Sequence, residues 1–176
     1  MKYHIEEMIS EKSISDKVLE IAEKINEEFK GKDILVIGLL RGSLMFLADL
    51  SRKLDNVIEI DFMSVSSYGS SMQTSGEIKI LKDLDVCIEG KNVVIVEDII
   101  DTGFTLSKVC KILKERQPKT LKVCTLLDKP ERRIVDINVD YQGFIIPDEF
   151  VVGYGIDYAQ RHRALPYIGK VVKEEE

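Results

Sequence analysis

The stretch that decides the fold reads VVIVEDIIDTGFT and covers residues 93–105. Its first four residues, Val93 to Val96, are apolar and predict a strand that is buried on both faces. The strand leads directly into Glu97 and Asp98, which we place in an acidic loop, and a helix is predicted from about Thr105 to Arg116. In open α/β sheets, ligands bind beyond the carboxyl ends of the strands. The stretch therefore predicts an acidic ligand site between a buried strand and a helix.

The residue types in this stretch suit a sugar phosphate. Glu97, Asp98 and Asp101 offer acceptors for sugar hydroxyls, and adjacent carboxylates at a buried strand end need partners such as hydroxyls, a metal or water. The start of the helix offers free backbone N–H groups to an anion, and Thr102 and Thr105 add hydroxyls. Helix capping is the alternative, but it accounts for only one acid and one threonine. We therefore interpret the stretch as a ribose 5-phosphate site.

Strands and helices alternate on both sides of this stretch. Helices are predicted over residues 13–29 and 44–54, strands over 34–37, 57–65 and 121–127, and shorter apolar runs occupy 144–146, 150–152 and 167–172. This alternation predicts an α/β fold with a mostly parallel central sheet flanked by helices. Residues 66–76 are polar and rich in serine and glycine, which predicts a loop. Long loops in small domains are often functional, so a lid is one interpretation and a surface connection is the other.

Composition narrows the class of protein. The chain has 176 residues and a net charge of −6, which predicts a single domain and disfavours nucleic acid as a partner. It has three cysteines without close spacing, which indicates buried free thiols in a reducing compartment. The N-terminus lacks the apolar region of a signal peptide, and no apolar run approaches the roughly 20 residues that span a bilayer. We therefore expect a cytoplasmic protein with no membrane partner.

Three segments resemble one protein family. Residues 93–106 resemble the phosphoribosyl-pyrophosphate signature of type I phosphoribosyltransferases. Residues 39–43, LLRGS, resemble the pyrophosphate loop of that family's hypoxanthine-guanine branch, and residues 150–158, FVVGYGIDY, followed by Arg163, resemble its purine-binding hood. The resemblance extends from about residue 10 to 172. It implies one domain over residues 1–176, with a core at about 31–140.

In this family a small hood completes the site, and the resemblance places it in the N-terminal segment and about residues 141–176. It also implies the reaction, which is transfer of the 5-phosphoribosyl group from phosphoribosyl pyrophosphate to N9 of a 6-oxopurine. The products would be IMP from hypoxanthine or GMP from guanine, together with pyrophosphate, as in purine salvage. The family requires Mg²⁺ and forms homodimers or homotetramers, so we expect the same of this chain.

The resemblance also assigns roles within the opening stretch. Glu97 and Asp98 would hold the ribose hydroxyls, partly through Mg²⁺ and its waters. Asp101 would lie by the purine N7 as general acid and base, provided that its pKa suits the task. The 5′-phosphate would be bound by the backbone and side chains of Asp101, Thr102, Gly103, Phe104 and Thr105. Some relatives carry lysine at the position of Phe104, but the backbone donors remain.

The purine contacts are implied by the resemblance alone. Lys129 would contact the purine O6, although lysines are seldom buried and a solvated surface lysine is the alternative. Phe150 would stack on the purine ring, and Val151 would meet the base edge through its backbone. Plain core packing is the alternative for both residues. Asp157 would complete the purine pocket and bind a second Mg²⁺ that bridges to pyrophosphate.

The remaining assignments concern pyrophosphate and the lid. Arg41, the Gly42 backbone and Arg163 would hold the pyrophosphate, and the family often has a cis peptide bond in the Arg41 loop. Ser67 and Tyr68 match the family's lid, whose closure would keep water from the reacting sugar. Two other functions compete: a nucleotide-sensing regulator that binds nucleic acid, and a phospho-acceptor signalling domain. The intact Asp101 and the acidic charge disfavour the first, and the clustering of all three acids at one strand end disfavours the second.

Overall fold

The computed structural model of the chain describes residues 2–67 and 78–174. Three helices are present in this part of the chain: α1 (Glu11–Glu28), α2 (Leu44–Ser51) and α3 (Phe104–Glu115). A 3₁₀ helix covers Pro130–Arg132. The strands are β1 (Tyr3–Ile9), β2 (Ile34–Leu39), β3 (Ile58–Ser67), β4 (Ile78–Lys82), β5 (Asn92–Ile100), β6 (Thr120–Asp128), β7 (Tyr141–Ile145), β8 (Val151–Val152) and β9 (Ile168–Lys173). No helix among these residues is both long and apolar enough to cross a membrane.

Six strands form the main sheet, in the order β4-β3-β2-β5-β6-β7. All neighbouring pairs are parallel except β3 and β4, so the predicted α/β fold with a mostly parallel sheet is confirmed. A separate antiparallel sheet has the order β1-β9-β8. Since β7 pairs with β6 in the main sheet, the two sheets part after Ile145 rather than at residue 140. The division into core and hood domains itself stays a prediction.

Both faces of the main sheet are covered, which explains why its inner strands are apolar without alternation. One face packs against α1 and α2 and buries Val36, Val94 and Val96. The opposite face packs against α3 and buries Leu35 and Ile95 together with their neighbours. Of the three cysteines, Cys110 and Cys124 are buried as expected, but Cys87 is exposed. Burial raises the pKa of the Cys110 thiol to about 11, which leaves it protonated.

Two predicted strand ends near the candidate site are wrong. In both cases the strand continues into polar residues, which the sequence pattern assigns to a loop. Strand β5 continues past Val96 to Ile100, because Glu97 pairs with Thr125 and Ile99 with Leu127 of β6. Glu97 and Asp98 therefore lie on a strand and not in a loop. Strand β3 likewise includes Ser66 and Ser67, which pair with β4. Tyr68 and the rest of the predicted lid, through residue 76, lie outside the described residues.

Candidate active site

The site lies at a switch point of the main sheet, where the connections that follow two neighbouring strands run in opposite directions. From β2 the chain passes through α2 to β3 on one side, and from β5 it passes through α3 to β6 on the other side. The two strands pair directly, with Gly38 of β2 opposite Val96 of β5. Such a switch point leaves a crevice beyond the carboxyl ends of the strands. It brings the Arg41–Gly42 segment next to the acidic residues at the end of β5.

Gly42 packs directly against Asp98. A β-carbon at residue 42 would overlap the Asp98 carboxylate, so this close approach requires glycine. The backbone N–H of Asp98 donates to Glu97 Oε1 at 3.2 Å. Burial, and then the negative charge of Asp98, raise the pKa of Glu97 well above its ordinary value. The two neighbouring carboxylates are therefore costly to ionise together unless a cation or hydroxyl groups join them.

The same two carboxylates suit Mg²⁺, which prefers oxygen ligands. Ion pairs of the described residues involve Asp101 and Asp157, but neither Glu97 nor Asp98, whose oxygens are not committed to a lysine or arginine there. Within residues 2–67 and 78–174, no three His, Cys, Asp or Glu side chains are grouped so as to hold a metal by themselves. An Mg²⁺ ion bound here would therefore also need ligands from phosphates and water, which is its usual mode of binding.

The segment expected to bind the 5′-phosphate, residues 101–105, contains a left-handed residue just before α3. Gly103 has a φ of 78° and precedes α3, and no side chain caps that helix. The Phe104 N–H donates to Thr102 Oγ1 at 3.3 Å. On the far side of Gly103 lies Arg133, which pairs with the buried Asp128 and has a buried Nη1 without a hydrogen-bond partner among the described residues. The loop therefore combines backbone donors at a helix N-terminus with a guanidinium group behind it.

Of the two residues considered as helix caps, Thr102 accepts the Phe104 N–H at the start of α3, but Asp101 does not cap the helix. Its Oδ1 instead accepts a hydrogen bond from Arg132 Nε at 3.0 Å. Arg132 Nη1 also donates to Asp148 Oδ2 at 3.3 Å, and Asp148 Oδ1 lies 3.7 Å from Lys129 Nζ. Lys129 is only 8 % exposed, which excludes the solvated surface lysine. The structure thus brings the two side chains expected at N7 and O6 of the purine together at one edge.

A second polar cluster joins the Arg41 segment to the hood. Gln160 Oε1 accepts hydrogen bonds from Arg41 Nη1 at 3.0 Å and from Arg163 Nη2 at 3.3 Å. Asp157 pairs with Arg163 at 2.7 Å and accepts a hydrogen bond from the Gln160 N–H. The peptide bond between Leu40 and Arg41 is cis. The two arginines expected to bind pyrophosphate therefore meet at a single amide oxygen.

The two hood residues expected at the purine differ in burial. Phe150 is 54 % exposed, so core packing does not account for it. Its ring centroid lies 5.3 Å from that of Tyr158, which in turn meets Tyr3 edge to face. Val151 is buried in β8 and pairs with Lys170 of β9, as a core residue would. Core packing thus fits the Val151 side chain and leaves only its backbone for a ligand.

Three residues of these clusters were not found from the sequence: Arg132, Asp148 and Gln160. Each is a polar residue outside the α-helices and strands, where single positions carry no periodic signal. Gln160 also has a φ of 65°, unusual for a residue other than glycine. The pairing of Gln160 with Arg41 spans 119 positions, so only the fold could reveal it. Of the lid residues, Ser67 ends β3 and Tyr68 lies outside the described residues.

Comparisons with known proteins identify the family of this chain. Residues 5–159 match the phosphoribosyl transferase domain family. The hypoxanthine phosphoribosyltransferase of Salmonella typhimurium is 58 % identical over 178 residues, covering 100 % of both chains. The hypoxanthine-guanine phosphoribosyltransferase of Bacillus subtilis is 51 % identical and is matched over 94 % of its length by 96 % of this chain. A crystal structure of such an enzyme from Bacillus anthracis, 51 % identical, superposes with a TM-score of 0.92 over 98 % of this chain and 100 % of that one. This chain therefore belongs to the phosphoribosyl transferase family and has its type I fold.

Proposed function

We propose that this protein transfers the 5-phosphoribosyl group from phosphoribosyl pyrophosphate to N9 of hypoxanthine or guanine. The products are IMP or GMP and pyrophosphate, and the reaction is one of purine salvage. A relative named hypoxanthine phosphoribosyltransferase matches 100 % of this chain, and one named hypoxanthine-guanine phosphoribosyltransferase matches 96 % of it. The observation that carries the proposal is the placement of Lys129 and Asp101 at one edge of the crevice, joined through Arg132 and Asp148.

Substrate binding divides among three parts of the crevice. The backbone N–H groups and hydroxyls of residues 101–105 bind the 5′-phosphate, because a helix N-terminus favours an anion. Glu97 and Asp98 hold the ribose hydroxyls. Arg41, the Gly42 backbone and Arg163 bind the pyrophosphate, which displaces the two guanidinium groups from Gln160. In this division, each group of residues binds the part of the substrate that it complements.

The base is bound by the hood and by the two polar side chains. Phe150 stacks on the purine, and the Val151 backbone meets its edge, while Asp157 closes the pocket. The Lys129 ammonium donates to O6, which favours 6-oxopurines over adenine because the adenine 6-amino group would offer it donors. During transfer, N9 forms a bond to C1′ of the ribose and the bond from C1′ to pyrophosphate breaks. The proton on N7 passes to the Asp101 carboxylate, which acts as general base.

Members of this family use Mg²⁺ in general. In this chain Glu97, Asp98 and Asp157 are the residues that we expect to hold it, with phosphates and water completing the ligands. Bound Mg²⁺ would neutralise negative charge on the departing pyrophosphate. A lid formed by Ser67 and Tyr68, and assembly into homodimers or homotetramers, remain predictions; sedimentation velocity tests the second.

A direct assay tests the proposed function. The purified protein is incubated with phosphoribosyl pyrophosphate and either hypoxanthine, guanine, xanthine or adenine, with and without Mg²⁺, and nucleotide formation is followed by chromatography. We expect IMP or GMP to form only with Mg²⁺, and adenine to remain unchanged. Lack of turnover of every 6-oxopurine would contradict the proposal.

A further inference from the structure

Four charged side chains form a continuous chain of ion pairs, which we call the arch. They alternate in sign in the order Lys129, Asp148, Arg132 and Asp101. The closest distances along the arch are 3.7 Å from Lys129 to Asp148, 3.3 Å from Asp148 to Arg132, and 3.0 Å from Arg132 to Asp101. The two ends of the arch are the side chains placed at O6 and N7 of the base. The two middle residues have no assigned role.

The backbone holds three of these residues in one unit. The Lys129 N–H donates to the Ile100 carbonyl at 2.9 Å, which ties the start of the 3₁₀ helix to the end of β5. Within that helix the Arg132 N–H donates to the Lys129 carbonyl at 3.0 Å. Asp148 lies on a different segment, between β7 and β8. The Asp148 carboxylate therefore joins this segment to both cations, Lys129 and Arg132.

The arch is poorly placed to contribute stability. Arg132 is 46 % exposed and Asp148 is 49 % exposed, and ion pairs with this exposure contribute little to folding. The geometry of the arch instead suits a role in positioning Asp101 and Lys129. Arg132 Nε donates to Oδ1 of Asp101, and no hydrogen bond among the described residues uses the second carboxylate oxygen. Asp148 draws the Lys129 ammonium toward the same edge.

We propose that Arg132 and Asp148 are positioning residues that set the spacing between the Lys129 ammonium and the Asp101 carboxylate. In a 6-oxopurine, O6 and N7 lie next to each other on one edge of the ring, so two side chains that contact them must be held at a matching separation. The inference rests on the proposed function and extends it to two residues that do not touch the substrate. Small displacements of groups that position a reaction cost up to about a hundredfold in rate.

The test compares Arg132→Gln, Arg132→Lys and Asp148→Asn with the unmodified protein. Arg116→Gln is the matched control, because Arg116 forms a partly exposed pair with Asp83 just after the C-terminal end of α3, at the opposite end of that helix from the crevice. For hypoxanthine, Arg132→Gln is expected to lower kcat by about tenfold to a hundredfold. Arg132→Lys is expected to restore part of that loss, because it keeps the charge but not the fork of donors. The KM for phosphoribosyl pyrophosphate should change by no more than about twofold, because neither Arg132 nor Asp148 touches that substrate.

An inhibitor that lacks N7 tests the two ends of the arch separately. 7-Deazahypoxanthine keeps O6 but has a carbon in place of N7. Asp148→Asn should raise its inhibition constant, because Lys129 loses its anchor, whereas Arg132→Gln should leave that constant within about threefold. The double variant should lose less than the product of the single losses, because both residues act in one network.

Each result has a defined meaning. Turnover by the unmodified protein is measured first, and its absence overturns the proposed function itself. If the unmodified protein is active, kcat values for the arch variants equal to that of Arg116→Gln overturn the inference. A parallel rise in the KM for phosphoribosyl pyrophosphate also overturns it, because that result indicates a general disturbance of the site.

Discussion

Gly42 packs so closely against Asp98 that any β-carbon at residue 42 would overlap the Asp98 carboxylate. The two residues lie at the carboxyl ends of neighbouring strands, Gly42 in the segment after β2 and Asp98 near the end of β5. The contact joins the segment expected to bind pyrophosphate to the carboxylates expected at the ribose. Glycine at residue 42 therefore bears on the geometry of both subsites.

Gly42→Ala should weaken binding of phosphoribosyl pyrophosphate more than it lowers stability. The added β-carbon meets the end of a side chain, which can rotate away, and that rotation removes the carboxylate from the ribose. We expect the KM for phosphoribosyl pyrophosphate to rise at least about tenfold, equivalent to about 1.4 kcal/mol. In an Asp98→Asn background the same substitution should add little, and equal effects in both backgrounds would argue against the contact.

Asp101→Asn should lower turnover by about 10²–10⁴, the usual range for loss of a general acid or base. Asparagine keeps the size of the side chain but accepts no proton from N7. Binding of both substrates, measured by calorimetry, should persist. Near-normal turnover in this variant would remove Asp101 from the chemistry.

Glu97→Gln should stabilise the protein while impairing substrate binding. Burial and the charge of Asp98 raise the pKa of Glu97 in the folded state, so the folded protein favours the protonated carboxyl. The stabilisation from the protonated Glu97 carboxyl is therefore complete below the unfolded-state pKa of about 4.3. It declines as the pH rises toward the folded-state pKa. At pH 8, Glu97→Gln should raise the free energy of unfolding in urea by about 1 kcal/mol. Glu115→Gln, at an exposed position on α3, serves as the control, and an equal gain there would contradict the explanation.

Asp61→Asn should destabilise the protein in a pH-dependent way. Burial alone would raise the pKa of Asp61, but hydrogen bonds from the backbone N–H groups of Phe62, Asp85 and Val86, and the charge of Lys82, lower it overall. The resulting stabilisation is present above the unfolded-state pKa of about 3.9 and is lost as the pH falls through the lower folded-state pKa. At pH 7 the substitution should cost about 2 kcal/mol in the free energy of unfolding.

Urea unfolding of Asp61→Asn at a series of pH values measures this effect. The difference from the unmodified protein should narrow as the pH falls below about 4. A difference that stays constant down to acid pH would show that the charge of Asp61 is not its cause. Asp85→Asn, which removes the exposed partner of Lys82, should have little effect and is the control.

The parts of the fold and of the site that are formed by neighbouring residues in the sequence could be predicted from it. Strand β5 and helix α3 follow from an apolar run and a helical period, because burial imposes those patterns on neighbouring residues. The errors occurred where burial gave no such signal. Glu97 and Asp98 are polar although they lie on β5, and cross-strand pairing with β6, not their own residue type, keeps them in the strand.

By itself, the sequence determined that a buried strand, an acidic cluster and a helix N-terminus adjoin one another, because all of these residues lie within one stretch of 13 positions. Only the tertiary structure decided which distant side chains complete the crevice. Gly42 meets Asp98, Gln160 joins Arg41 to Arg163, and Arg132 pairs with Asp101. The physical reason is that these contacts depend on the order in which strands pair. That order brings the ends of β2, β5 and β6 side by side, and no local pattern of residues encodes it.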